Sequence, residues 1–316
     1  MLDSATVQSI PTLDVRRLES DVDSAFIAEL GSALSNFGFV SVTGDLGVSP
    51  ELTGAAYAAM QRFFALPESN KLRCHVPGGA GQRGYTPFGI ERAKDQRLAD
   101  LKEFFHVGRE LPAGSRYHMP QNVWPAELPE FEPVMKRLWS ALEALGRRLL
   151  SAIARYLGLA ANWFDTAIDH GNSILRPLHY PPLEHAAAGL RSAPHEDINL
   201  ITLLIASGEP GLQLQTRDGE WLPVDIPPSA VVVNVGDMLQ RLTNHVLPST
   251  THRVANPPAP WSERSRYAAP FFLHPNPEFV IESLPSCVDA HNPQRYPEPI
   301  VADVYLMQRL REIGLI

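Results

Sequence analysis

Residues 194–204 read PHEDINLITLL: a histidine, a glutamate and an aspartate in succession, then at once an apolar run of strand character. In an extended segment alternate side chains share a face, so His195 and Asp197 can offer an imidazole nitrogen and a carboxylate oxygen to one point while Glu196 is directed away. Unpaired polar groups are costly in a protein interior, so three titratable side chains at the mouth of such a run call for a partner. An H-x-D match recurs readily by chance, and alone it marks no more than a strand edge.

The surrounding texture supplies the fold. After NWFDTAIDH, short strand-like runs follow at close intervals: SILRPLHY, NLITLLIA, GLQLQ, EWLPVD, AVVVNVG, THRVAN and RYAAPFFLH, separated by Gly, Pro, Asp and Ser. That pattern predicts an antiparallel jelly roll whose two sheets come face to face. Upstream, strand and helix signals alternate: a strand in SIPTLDV, a helix ending at Gly38, a strand in FGFVSVTG, and a second helix with Ser49 as N-cap and Pro50 in its first turn. Residues 68–100 read as a long Gly- and Pro-rich loop of the kind that covers a site. Residues 131–157 carry the longest helical pattern, with Leu138, Leu142, Leu145, Leu149 and Ile153 in one stripe, and ADVYLMQRLREIG predicts an amphipathic helix at the C-terminal end. The expected fold class is α+β with a mainly β core: a double-stranded β-helix (cupin-like jelly roll) with a helical N-terminal extension and a C-terminal helix. Residues 1–165 would form the mixed α/β region and 166–316 the β-helix core, packed as one globular unit.

Fifty-five residues after Asp197, THRVAN places His252 on another short strand. Two histidines and one carboxylate make a facial set that leaves metal positions open, as in non-haem Fe(II) oxygenases, although catalytic zinc accepts the same ligands. Arg266 opens RYAAPFFLH fourteen residues later, offering a planar fork for a carboxylate.

The totals narrow the classes. A chain of 316 residues with 44% hydrophobic and 20% charged residues can bury a large core. Its formal charge of −8 argues against a nucleic-acid binder. No window reaches the length of a membrane span, and the N-terminus lacks a basic region followed by an apolar one, so a soluble, cytoplasmic protein is expected. Cys74 and Cys287 match neither zinc spacing nor a disulfide framework and read as free thiols.

In order along the chain, IPTLDV, NFGFVSVTG, FFALPESNK, GQRGYTPFG, LKEFFHVG, LRPLHYPP, HEDINLITLL, PGLQLQTRDGEWLPV, VVVNVGDMLQRLTN, STTHRVAN and RYAAPFFLHPNPEFVIESLPS resemble the isopenicillin N synthase-like family of Fe(II)- and 2-oxoglutarate-dependent oxygenases. The resemblance implies that residues 1–165 correspond to the non-haem dioxygenase N-terminal region. It implies that His195, Asp197 and His252 hold Fe(II), that Arg266 anchors 2-oxoglutarate, and that Tyr180 donates a hydrogen bond to this co-substrate. With O2 the outcome would be oxidation, usually hydroxylation, of a small molecule with release of succinate and CO2. Two positions depart from the family's pattern: Ala268 replaces the serine of Arg-x-Ser, and Leu178 replaces the asparagine of Asn-x-Tyr. An oxidase that uses no 2-oxoglutarate and a non-catalytic metal- or ligand-binding β-helix are the alternatives. Arg83, Tyr85 and Gln240 are candidate substrate contacts, and Met238 and Asn244 are candidates to face the cavity. His179, His245 and His274 read as packing residues, and the oligomeric state is left open.

Overall fold

A serine, a proline and a glycine punctuate the first helices as their chemistry requires. The computed structural model describes residues 9–19, 24–93, 98–183, 188–205, 208–227, 229–313 and 315. After β1 (Thr12–Asp14), helix α1 (Ser24–Phe37) stops at Gly38, whose φ of 66° suits a residue without a side chain. Strand β2 (Phe39–Thr43) follows, then α2 (Pro50–Phe64), where Ser49 Oγ accepts the Leu52 N–H at 3.2 Å. Next come α3 (Glu68–Leu72), β3 (Gly84–Thr86), β4 (Glu103–Gly108) and the long α4 (Phe131–Tyr156). In α4 the stripe of Leu138, Leu142, Leu145 and Leu149 is fully buried, worth about 1.5–3 kcal/mol per side chain. It packs against α1, α2 and the inner strands of the main sheet.

The second half supplies β5 (Ile174–Leu175), β6 (Leu178–Tyr180), β7 (Ser192–His195), β8 (Ile201–Ile205), β9 (Leu212–Gln215), β10 (Trp221–Pro223) and β11 (Val231–Val235). Helix α5 (Asp237–Leu242), β12 (His252–Val254), β13 (Arg266–Leu273), β14 (Val280–Ile281), β15 (Ile300–Val301) and α6 (Ala302–Glu312) complete it. A nine-stranded sheet runs β1-β2-β11-β8-β13-β5-β4-β3, with β6 beside β13 and β4; a four-stranded sheet runs β10-β9-β12-β7. These are the two walls of the jelly roll.

One expectation is corrected. Residues 68–100 include α3 and β3 as well as loop, because ESNKL has helical character and Tyr85 lies on a strand paired with Phe105. The N-terminal region contributes strands as well as helices. Its strands β1 to β4 are built into the main sheet, with β2 pairing β11 and β4 pairing β5 and β6. Without β2 and β4 the jelly-roll strands would present open edges, which proteins avoid.

Gly236 ends β11 where the chain passes Asn199. A Cβ there would meet Asn199 Oδ1 at 2.1 Å and the Asn199 backbone oxygen at 2.3 Å. Backbone contacts of this kind cannot relax cheaply, so Gly236→Ala is expected to destabilise the protein by about 1–3 kcal/mol. Urea unfolding of the purified variant checks this, and an unchanged midpoint would contradict the crowding.

Candidate metal centre and active site

Strands β7 and β12 are antiparallel neighbours, and His195 stands directly opposite His252 in their register. The ring centroids lie 4.4 Å apart. The strand signals between them predict ligands meeting from two facing sheets. The structure instead places both imidazoles on adjacent strands of the smaller sheet, and only the carboxylate reaches toward the larger one. Asp197 follows two residues after the end of β7, and its Oδ1 is 3.8 Å from the Nε2 of each histidine. One ligand atom from each of the three groups lies within 4.8 Å of the others.

Each remaining polar atom of these side chains is occupied elsewhere. His195 donates Nδ1–H to the Ala193 carbonyl at 2.8 Å, and His252 donates Nδ1–H to the Thr250 carbonyl at 3.1 Å. Both Nε2 lone pairs are thereby left facing the centre. Asp197 Oδ2 accepts from Thr202 Oγ1 at 2.6 Å and from Asn234 Nδ2 at 2.8 Å, leaving Oδ1. Asn199 Nδ2 donates to Thr202 Oγ1 at 2.8 Å, which directs the hydroxyl proton toward Asp197. Burial, with His252 beside it, pushes the His195 pKa down to about 4. Burial works against the Asp197 charge, but the imidazoles and the bonds from Asn234 and Thr202 prevail and hold its pKa below the ordinary value. Neutral imidazoles and an ionised carboxylate are the donor set a ferrous ion takes, with the other metal positions open to the cavity.

The same cavity holds a buried cation. Arg266 on β13 is 3% exposed, and its Nε has no hydrogen-bond partner. Its guanidinium lies 5.2 Å from the ring centroid of Tyr180, its cross-strand partner on β6. A buried guanidinium whose Nε–H lacks an acceptor among the described residues can take a carboxylate oxygen. Leu178 and Ala268 prove to be direct cross-strand partners. With Phe104, Tyr180 and Val254 they form one apolar cluster. The two departures from the family pattern are therefore one local change.

Comparison with known proteins agrees with this geometry. A family model described as the N-terminal region of a non-haem dioxygenase in morphine synthesis matches residues 10–127, and the 2OG-Fe(II) oxygenase superfamily matches residues 171–275. A 2-oxoglutarate-Fe(II) type oxidoreductase of Aspergillus fumigatus is 32% identical over 298 residues, 90% of this chain and 87% of that protein. The chain belongs to the isopenicillin N synthase-like 2-oxoglutarate-Fe(II) oxygenases. Among solved structures, a 2OG-Fe(II) oxygenase family protein from Caulobacter crescentus superposes with a TM-score of 0.88 at 45% identity, covering 98% of this chain and 100% of that one. A Neurospora crassa protein solved with alpha-KG and thymine gives a TM-score of 0.85 at 29% identity, covering 97% and 98%.

The oxygenase cavity is lined by His195, Asp197, His252, Tyr180 and Arg266, but not by the other candidates. Arg83 is buried in a structural role, donating to the Pro120 carbonyl at 3.1 Å, the Gln82 carbonyl at 2.7 Å and Asn172 Oδ1 at 2.9 Å. The Tyr85 hydroxyl donates to Glu103 Oε2 at 2.5 Å, beside Lys71 Nζ at 2.6 Å. From that stretch Gln82, Glu91, Arg92, Ala93 and Asp100 reach the cavity. Gln240 Oε1 accepts the Ser249 N–H at 2.9 Å and so fixes the turn leading to His252. Met238 is core, and Asn244, at φ 48°, donates to the carbonyls of Cys287, Asn292 and Pro293. His179 bonds Glu103 and Ser265, and His245 bonds Tyr296. Glu196 does not join the ligand atoms; its Oε1 accepts from Thr251 Oγ1 at 3.5 Å. Glu196 and His274 both line the cavity.

The supporting residues Thr202 and Asn234 were not singled out from the sequence. A signal existed: each is a polar residue inside an otherwise apolar buried strand, in LITLL and VVVNV.

Thr202→Val keeps the volume and removes the hydroxyl that holds Asp197. Titration with Mn(II) should show roughly 10- to 100-fold weaker metal binding with the fold intact; equal affinity would refute the role of Thr202. A second expectation concerns His274, whose pKa burial pushes from 6.5 down to about 4. The unfolded chain takes up this proton at the higher pH and the folded protein at the lower one. The stability contributed by the neutral ring is therefore complete above the unfolded value and is lost as pH falls through the window. Urea unfolding across it should show the parent losing roughly 1 kcal/mol per pH unit more than His274→Phe. Parallel pH profiles would contradict this.

Proposed function

We propose that His195, Asp197 and His252 bind the iron of this oxygenase, that Arg266 with Tyr180 holds the distal end of 2-oxoglutarate, and that the reaction hydroxylates a small molecule. The carrying observation is the convergence of three lone pairs whose neighbouring atoms are all otherwise engaged. Bound iron and 2-oxoglutarate would supply the oxidising power, consuming O2 and releasing succinate and CO2 while the substrate gains oxygen.

The chain's own residues supply placement. Thr202 and Asn234 keep Asp197 ionised and aimed, and the carbonyls of Ala193 and Thr250 fix both imidazole tautomers. Arg266 sets the direction in which the co-substrate lies, and the apolar Leu178 and Ala268 flank its path. The side chains of Leu306 and Leu310 on α6 line the cavity and help exclude water. The small-molecule assignment is supported by the neighbouring structure that contains thymine.

The test is succinate release from 2-oxoglutarate by the Fe(II)-loaded protein, together with anaerobic 2-oxoglutarate titration. An oxidase independent of 2-oxoglutarate would release none and bind it no better than an unrelated dicarboxylate. Arg266→Gln should weaken 2-oxoglutarate binding by roughly 10- to 100-fold, the value of a charged hydrogen-bonding pair. Ala268→Ser, which restores the hydroxyl seen in the family pattern, should tighten it by up to about tenfold. A wild-type affinity in Arg266→Gln would remove Arg266 from the site.

A further inference from the structure

The two imidazoles of the metal centre are not held alike. His252 lies on β12, which has a strand on either side, β9 and β7. His195 lies on β7, the last strand of the four-stranded sheet, which among the described residues is paired with β12 alone. Even that pairing is interrupted. Between the pairs His195–His252 and Ser192–Val254 the register passes three residues on β7 against two on β12, so a bulge falls at Ala193 and Pro194, and Pro194 has no N–H to give. An edge strand with a bulge and a proline is by itself a poor mount for a ligand atom.

A piece of the first half of the chain stands where a neighbouring strand would be. The Leu101 N–H donates to the Leu190 carbonyl at 3.0 Å, and the Asp100 N–H to the Glu91 carbonyl at 3.0 Å. The Asp100 side chain, 3% exposed, is thereby brought against the bulge. Its Oδ1 accepts the Ala193 N–H at 2.9 Å, while Oδ2 meets Lys102 Nζ at 2.8 Å and Ser192 Oγ at 3.4 Å. Lys102 is fixed in turn, donating to Ser192 Oγ at 3.3 Å and lying 2.8 Å from Glu91 Oε1.

Both backbone groups of Ala193 are then engaged by side chains: the N–H by Asp100, and the carbonyl by His195 Nδ1–H at 2.8 Å. A turn of this one residue would misdirect both. The His252 Nδ1–H is held by a route that does not include Asp100: it goes to the Thr250 carbonyl at 3.1 Å, and Thr250 Oγ1 donates to the Phe37 carbonyl at 2.7 Å. A buried carboxylate is costly to desolvate, and a neutral group could satisfy a lone N–H. A carboxylate pinned at its second oxygen by Lys102 is an acceptor that cannot swing away.

We propose that Asp100 is a positioning residue for the metal: by capping the open edge of β7 at Ala193 it sets the direction of His195 Nε2, so that the first half of the chain completes a site whose three ligands all come from the second half. The proposal rests on the assignment of His195, Asp197 and His252 as the ligands.

The test uses the full chain and two readouts. Titration with Mn(II) should show roughly tenfold weaker binding in Asp100→Ala. Asp100→Asn combined with Lys102→Met keeps an acceptor for Ala193 while removing the charge pair, and should recover affinity to within about threefold of the parent. In the Zn(II)-loaded protein with isotope-labelled histidine, nuclear magnetic resonance should show the His195 Nδ1–H exchanging with water at least about tenfold faster in Asp100→Ala, with the His252 Nδ1–H unchanged. A general loss of structure would move both protons. Parent-like Mn(II) affinity in Asp100→Ala, equal changes at the two histidines, or a double variant as weak as Asp100→Ala overturns the proposal. The parent alone also tests it: a His195 Nδ1–H already lost to fast exchange there overturns it without any variant having to fold. If the parent binds no Mn(II), the ligand assignment falls and the proposal with it; if it binds, the outcomes above bear on Asp100 alone.

Discussion

Three donor atoms that face one another without bonding one another are the constraint around which this chain is organised. Left alone, His195 Nε2, His252 Nε2 and Asp197 Oδ1 would turn toward other partners. They do not, because the other atom of each group is already tied down: two Nδ1–H groups to carbonyls of their own strands, and Oδ2 to Thr202 and Asn234. The free energy of holding them apart from water is supplied by the fold, through the β7–β12 pairing and the burial of β8 and β11. A divalent ion entering such a site finds its ligands oriented in advance, and little reorganisation is needed on binding.

The support reaches further through backbone than through side chains. Asp100 Oδ1 accepts the Ala193 N–H at 2.9 Å, and the Ala193 carbonyl is the group that orients His195. Asp100 Oδ2 meanwhile contacts Lys102, which contacts Glu91, which contacts Arg176. One buried cluster of alternating charge therefore joins the strand that carries a metal ligand to the wall opposite. Such a cluster contributes little net stability, since desolvation offsets most of the attraction. Its value lies in fixing geometry, and loss of any single member would leave a charge stranded in the interior.

Much of this was legible in the sequence, and the limits have physical causes. H-E-D before an apolar run, and a second histidine in a short strand, are marks of residue type and spacing, which a single chain displays directly. The caps at Ser49 and Gly38 and the apolar stripe of the long helix are local for the same reason. Strand register is not local. That His195 would face His252 on one sheet, or Leu178 face Ala268, follows from pairings between segments distant in sequence. Arg83 and Tyr85 were attractive because they stand in a Gly- and Pro-rich loop; a loop reading says nothing about which side chains turn inward to structural partners. His274 shows the opposite case: period-two alternation along RYAAPFFLH already aligns it with Arg266, but a lone histidine after a strand reads as packing until the fold places it on the cavity lining.

Closure of the cavity explains why the C-terminal helix is amphipathic in an unusual way. One face of α6 sends Leu306 and Leu310 into the lining, while Tyr305 and Arg309 reach Asp237, at 3.1 Å from the hydroxyl and 3.1 Å from Nε. Asp237 lies at the start of α5, and its backbone N–H donates to the Asp197 carbonyl at 2.9 Å. The helix that covers the cavity and the carboxylate of the candidate metal centre are thus connected through a single residue. Burial pushes the Asp237 pKa up to about 7 despite the nearby Arg309, so the attachment combines an expensive buried carboxyl with the partners that make it tolerable. An apolar cover alone would exclude water equally well. Anchoring it at the residue that abuts Asp197 makes water exclusion and ligand placement depend on the same contacts, so that an intact metal site and a closed cavity are properties of one structure.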